Sequence, residues 1–173
     1  GRILRFAMAD GASEGMLSGP WAQILVRSFC RSSARPTSSS ARQIVAKACD
    51  LWDMWKAAYL KKREERGMPV QWWEEQGLAT GPFATILGVA FLSKYGDRGR
   101  WDAVALGDTC LFGVSEDALK VKFPVKRSSE FGSRPVLLTG SRAKNAPYLH
   151  RLIDTGGTFV GGDRFYLMTD ALS

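Results

Sequence analysis

At Pro82 the hydrophobic period of the chain changes, and the segment beyond it admits few folds. "FATILGVAFL" (83–92) reads as a buried strand, and "WDAVAL" (101–106) as a second, reached through the turn "KYGDRGR". Gly107-Asp108 is a tight-turn dipeptide, beyond which Cys110, Phe112 and Val114 alternate. After "SEDA", Leu119, Val121 and Phe123 alternate with Lys120 and Lys122. Strands joined by short turns pair antiparallel, so the segment predicts an antiparallel meander with one face buried and one solvated.

Before Pro82 the period is helical. Ile44, Ala48, Leu51, Trp52, Trp55 and Tyr59 form one apolar stripe, predicting a long helix over 42–64 that packs on a sheet. Gly67 can end it and Pro69 bars its continuation. The tryptophans of the stripe would also suit a ligand platform, but packing is the preferred reading. Trp21, Ile24, Leu25 and Phe29 repeat at helical spacing behind Ser18, a candidate N-cap, and Pro20, which fits a first helical turn. Between the two helices "RSSARPTSSSAR" (31–42) reads as a mobile connector outside the core, with an anion-binding or phosphorylated loop as the second reading. "QWWEEQGLATGP" (71–82) is a short helix or an irregular loop, and residues 126–150 are irregular apart from an apolar run at 136–138.

With 173 residues the chain suits a single domain, 1–173, with room for a sizeable core. No run approaches the roughly 18 apolar residues of a membrane span. A formal charge of +7 raises nucleic acid as a partner, but the basic residues are dispersed, and the densest cluster, "LKKREERG", contains two glutamates. Nucleic acid is therefore a secondary reading. The three cysteines, Cys30, Cys49 and Cys110, have no metal-ligand spacing and read as buried free thiols of a reducing, cytoplasmic compartment. The single histidine, His150, argues against a histidine-rich zinc site and leaves a Ser-His-Asp triad with one candidate.

Residues 2–9 alternate, with Leu4, Phe6 and Met8 on one face, and the strand stops at Asp10 in "FAMADGASEG". Far along the chain, Phe165 to Thr169 forms another apolar strand, which delivers Asp170 at its end. Strand ends of a packed sheet can converge on one rim, where two carboxylates suit a shared hard cation such as Mg²⁺ or Mn²⁺. Glycine after the first carboxylate lets its carbonyl approach a metal closely. A plain strand end with a solvated turn is the competing reading.

"FAMADGASEG", "ATILGVAF", "WDAVALGDTCLFGV" and "GGDRFYLMTDALS" occur in the order and character of motifs in the type-2C metal-dependent protein phosphatases, of a bacterial-like kind, and the chain resembles that family over residues 6–173. The resemblance implies an α+β fold, an α-β-β-α sandwich of two antiparallel sheets flanked by helices. It implies a serine/threonine protein phosphatase, hydrolysing phosphoserine or phosphothreonine of a phosphorylated protein through a water that bridges two Mg²⁺ or Mn²⁺ ions. Asp10, with the Gly11 carbonyl, and Asp170 would be metal ligands, and Thr85 and Asp163 supporting positions. Asp108 matches a family aspartate at a further, weaker metal, although it also reads as a simple turn former. No protein nucleophile is implied.

The chain departs from the family at several points. Ala171 stands where the family usually has glycine, and Ala12-Ser13 replaces a common Met-Gly pair. A first strand with an acidic ligand has no counterpart before Gly1, and the late Asp-Asn would lie beyond Ser173. These departures predict a piece truncated at both ends, weak or inactive alone, and they keep a second reading: a catalytically inactive phosphatase-like module that binds a partner protein or phosphopeptide.

Overall fold

The computed structural model describes residues 3–95, 97–127 and 135–169. The alternating N-terminal segment is strand β1, Ile3–Met8. Two helices come next, α1 (Ser18–Arg31) and α2 (Ser38–Glu65), and then a shorter one, α3 (Trp72–Thr80). The period change at Pro82 opens β2 (Phe83–Ala84), β3 (Ile86–Tyr95), β4 (Arg98–Leu106), β5 (Cys110–Ser115) and β6 (Ala118–Phe123). The chain continues with β7 (Leu138–Thr139), α4 (Arg142–Asn145), a 3-10 helix (Ala146–Arg151), β8 (Ile153–Phe159) and β9 (Arg164–Met168).

The expected meander exists, but it is divided between two sheets. β3 and β4 belong to a four-stranded sheet of order β1-β3-β4-β8, whereas β5 and β6 belong to a three-stranded sheet of order β6-β5-β9. The crossing falls at Gly107-Asp108-Thr109, and Gly107 adopts φ 101, a left-handed conformation that side chains disfavour. Pairing is antiparallel throughout, including the small β2-β7 ladder.

Two apolar clusters hold the layers together. On one face of the four-stranded sheet, Ile86, Val104 and Leu106 meet Trp21, Leu25 and Phe29 of α1 and Ile44, Val45, Ala48 and Trp52 of α2. On the opposite face, Leu87, Val89, Trp101 and Ala103 meet Leu111 and Phe123 of the three-stranded sheet, with Phe165 and Leu167 packed against them. The molecule is thus an α+β structure of antiparallel sheets and helices, and the described residues supply the α-β-β layers. No helix among them is long and apolar enough to cross a membrane.

Several local expectations need correction. Ser18 is the first residue of α1 rather than its cap; Leu17, at φ 66, precedes the helix. The connector is only residues 32–37, because Thr37 caps α2 through a reciprocal pair of bonds with Ser40 and so starts the helix at Ser38. It is also anchored: Arg35 donates to Asp102 at 2.7 Å, and just past the connector Ser38 N, at the start of α2, donates to Asp154 at 2.6 Å. Strand β8, with its two glycines, was not expected from the sequence. Cys49 and Cys110 are buried, but Cys30 falls on the outward side of α1 and is exposed. Trp72 and Trp73, whose positions the sequence left open, project from α3 at 78% and 62% exposure.

Leu51 is the clearest departure. It is 47% exposed, whereas Val45 and Cys49 are buried beside Ala48 and Trp52. The buried arc of α2 is turned toward Val45 and Cys49, which leaves Leu51 roughly a quarter-turn from its centre at 3.6 residues per turn. Leu51→Ala should therefore change stability by less than about 0.5 kcal/mol, as for other surface substitutions. A loss above about 2 kcal/mol in urea melts would show that the side chain is packed after all.

Candidate metal centre

β1 ends where its ladder runs out. Met8 pairs with Leu87, and beyond it only an isolated bridge joins Gly11 to Ala84. Between these points the main chain of Asp10 is gripped by one residue: Asp10 N donates to Thr85 Oγ1 at 3.0 Å, and Thr85 N donates to Asp10 O at 2.9 Å. The next turn is tied back by Ala12 N donating to Phe83 O at 2.9 Å. Ser18 Oγ closes it, donating to Gly15 O at 2.9 Å and accepting from Phe83 N at 3.1 Å. A Cβ on Gly11 would stand 2.9 Å from the Ser18 carbonyl carbon and oxygen, so the start of α1 can approach only a glycine.

The second rim comes from the sheet crossing. Thr109, 1% exposed, places its hydroxyl 2.6 Å from the Thr85 hydroxyl, itself in a residue 2% exposed. This contact joins the end of the four-stranded sheet to the start of the three-stranded one. Asp108 lies next to it, partly buried, and its carbonyl accepts from Cys110 Sγ at 3.2 Å. Burial pushes the Cys110 thiol up, so it stays protonated and serves as a donor.

The structure thus brings Asp10, Gly11, Thr85 and Asp108 to neighbouring strand ends. Asp170 lies outside the described residues; β9 is paired as far as Met168, whose partner is Cys110. Asp163 is not at this rim. It sits in the turn before β9, where its carboxylate accepts from Val160 N at 3.0 Å, and that bond, aided by the Ser115 hydroxyl, holds it below the usual carboxylate range. Met168 lies at the other end of the five-residue strand β9, about 16 Å along the chain. His150 is exposed in the short 3-10 helix.

Two residues of consequence were not singled out from the sequence. Thr109 had one available signal, a hydroxyl directly after the Gly-Asp turn. Asp102 had another, a carboxylate inside the apolar strand "WDAVAL". It is 8% exposed and accepts from Arg35 and from Arg100. Burial alone would raise its pKa, but the two guanidinium bonds outweigh burial and hold it low. It fastens the connector to β4.

The donors at the rim are all oxygen, the set that hard cations such as Mg²⁺ and Mn²⁺ require. Each sheet contributes one carboxylate, Asp10 or Asp108. Among the described residues no three of His, Cys, Asp and Glu gather as a metal-ligand group. The residue types present, two acidic side chains and backbone oxygen, are those that a hard cation takes.

No family model matches the chain, and no curated protein does. Solved structures do. The catalytic domain of the serine/threonine protein phosphatase PstP, in complex with two manganese ions, is 16% identical with a TM-score of 0.51, covering 98% of this chain and 68% of its own. The Mycobacterium tuberculosis serine/threonine phosphatase PstP/Ppp is 17% identical with a TM-score of 0.51, over 99% and 69%. PppA, a key regulatory component of the T6SS in Pseudomonas aeruginosa, is 15% identical with a TM-score of 0.47, over 96% and 65%. The chain thus spans about two thirds of the length of these proteins. At such identities the likeness is one of fold, and the fold is that of the PstP-type serine/threonine phosphatase domains.

Proposed function

We propose that this chain is the core of a metal-dependent serine/threonine protein phosphatase domain, acting on phosphoserine or phosphothreonine of a phosphorylated protein. The observation that carries the reading is the joining of two sheet ends through Asp10, Thr85 and Thr109, with a carboxylate at each end. Asp10, the Gly11 carbonyl and Asp170 would hold the metal, with Asp108 on its three-stranded side. Two divalent ions would supply an acidified water as nucleophile and would offset charge on the phosphate oxygens.

The work of the protein's own groups is positional. Asp10 and Asp108 set negative charge at the rim and keep it fixed, since their main chains are tied to Thr85 and Cys110. Arg27, with Gln23, lines a cleft of about 350 Å³ that opens beside Gly11, and its cation suits an acidic or phosphorylated segment. Neither His150 nor a thiol is needed as nucleophile.

The intact protein is expected to release phosphate from a phosphoserine or phosphothreonine peptide with Mn²⁺ or Mg²⁺ present, and to stop when the metal is chelated. Hydrolysis that continues in excess chelator would overturn the reading. The departures from the family pattern at Ala171 and Ala12-Ser13 favour one alternative, a module that binds the phosphopeptide without cleaving it. Peptide binding without phosphate release, at saturating metal in the intact protein, would decide for that alternative.

A further inference from the structure

Thr85 is held on every side that matters. Its hydroxyl accepts from Asp10 N and meets the Thr109 hydroxyl, and its methyl faces Gly107, where a Cβ would come within 2.6 Å of Thr85 Cγ2. A β-branched side chain has few χ1 choices, and this packing leaves its hydroxyl aimed between Asp10 and Thr109. Among the described residues, Thr109 is the link of that chain on the three-stranded sheet, and its hydroxyl is sealed from water. The main chain of Asp10 is therefore two hydrogen bonds away from the residue after Asp108.

We infer that Thr109 is a positioning residue of the metal centre: through the Thr85 hydroxyl it sets the spacing between the Asp10 and Asp108 turns, and so the affinity for a divalent cation. This rests on the metal-phosphatase reading of the same rim. It assigns Thr109 no contact with metal or substrate. A cation held by oxygen ligands from two sheets gains from their being fixed before it arrives, because ordering them on binding costs conformational entropy. Groups that orient metal ligands commonly change affinity by about 10–100-fold when removed.

The test uses Mn²⁺ itself as the probe, titrated into the intact protein and followed by electron paramagnetic resonance of the free ion. Thr109→Val keeps the shape and removes the hydroxyl; it should weaken Mn²⁺ binding at least about tenfold. Thr109→Ser, which restores the hydroxyl, should return affinity to within about threefold of the parent. Phosphopeptide hydrolysis should need more Mn²⁺ in the valine variant, while the rate at saturating Mn²⁺ stays within about twofold. Melts without metal report whether each variant is folded, and if the valine variant is not, Thr109→Ala is titrated in its place with the same expectation. Parent-like Mn²⁺ affinity in the folded valine or alanine variant would overturn the inference and leave the phosphatase reading standing. So would a serine variant as weak as the valine one. Mn²⁺ binding that tracks the hydroxyl, in a protein that hydrolyses nothing, would support the positioning role and remove the enzymatic reading. A parent protein that binds no Mn²⁺ would end both.

Discussion

Asp10→Asn is expected to lower Mn²⁺-dependent hydrolysis of a phosphoserine peptide by at least about 100-fold, since a ligand should matter no less than the groups that orient ligands. The substitution keeps the side chain's shape and removes its charge. Hard cations bind carboxylate oxygen far better than a neutral amide, so the loss falls on the metal rather than on the fold. The bonds that hold this residue in place are those of its main chain to Thr85, which an asparagine makes equally well. Metal-free melts of the variant should therefore match the parent to within a few degrees. The decisive measurement is kcat/KM against Mn²⁺ concentration in the intact protein. A rate unchanged at all metal concentrations would remove Asp10 from the centre and leave it a strand-end turn.

Trp21→Ala should cost about 3–5 kcal/mol of stability, the range for truncating a large buried aromatic. Trp21 is fully buried at 0% exposure, and it does two jobs. Its ring meets Trp52 of α2 edge to face at 5.9 Å, which ties the two helices together. Its Nε1 donates to Leu138 O at 2.9 Å, satisfying a carbonyl of the two-residue strand β7. Truncation leaves a cavity between helix and sheet and an orphaned acceptor, so both penalties act together. Domains are stable by only about 5–15 kcal/mol, and the variant would lose a large share of that. Urea melts that place the loss below about 1 kcal/mol, at an unchanged m-value, would show that the site collapses and that the helix-sheet core is not held here.

The contrast with Leu51 shows how far a periodic pattern can be read. Both residues lie on apolar helical stripes, yet one is at 0% and the other at 47% exposure. Periodicity marks an arc of the helix, and neighbours decide its centre. On α2 the buried arc runs through Val45, Cys49 and Trp52, with Cys49 Sγ 3.9 Å from Thr139 O, and leaves Leu51 outside it. Cys49 shows how closed that side is: burial, against the opposing pull of an Asn145 hydrogen bond, raises its thiol pKa to about 11.

The same division runs through the candidate centre. Local sequence determined the strand that stops at Asp10, the helices on either side of the connector, the strands after Pro82 and the tight turn at Gly107-Asp108. Each is a matter of side-chain period or backbone permissiveness within a few residues, so each is legible in one dimension. Tertiary structure alone decided that the chain changes sheets at that turn, since a tight turn serves as well within one sheet as between two. It alone decided that Thr85 and Thr109, 24 residues apart, would share a hydrogen bond of 2.6 Å. It also set Asp102 between Arg100 and Arg35, the latter 67 residues away. Such pairings depend on strand register and on which faces meet. A one-residue change in register would turn each of these side chains to the other face of its sheet, and no spacing along the chain encodes that choice.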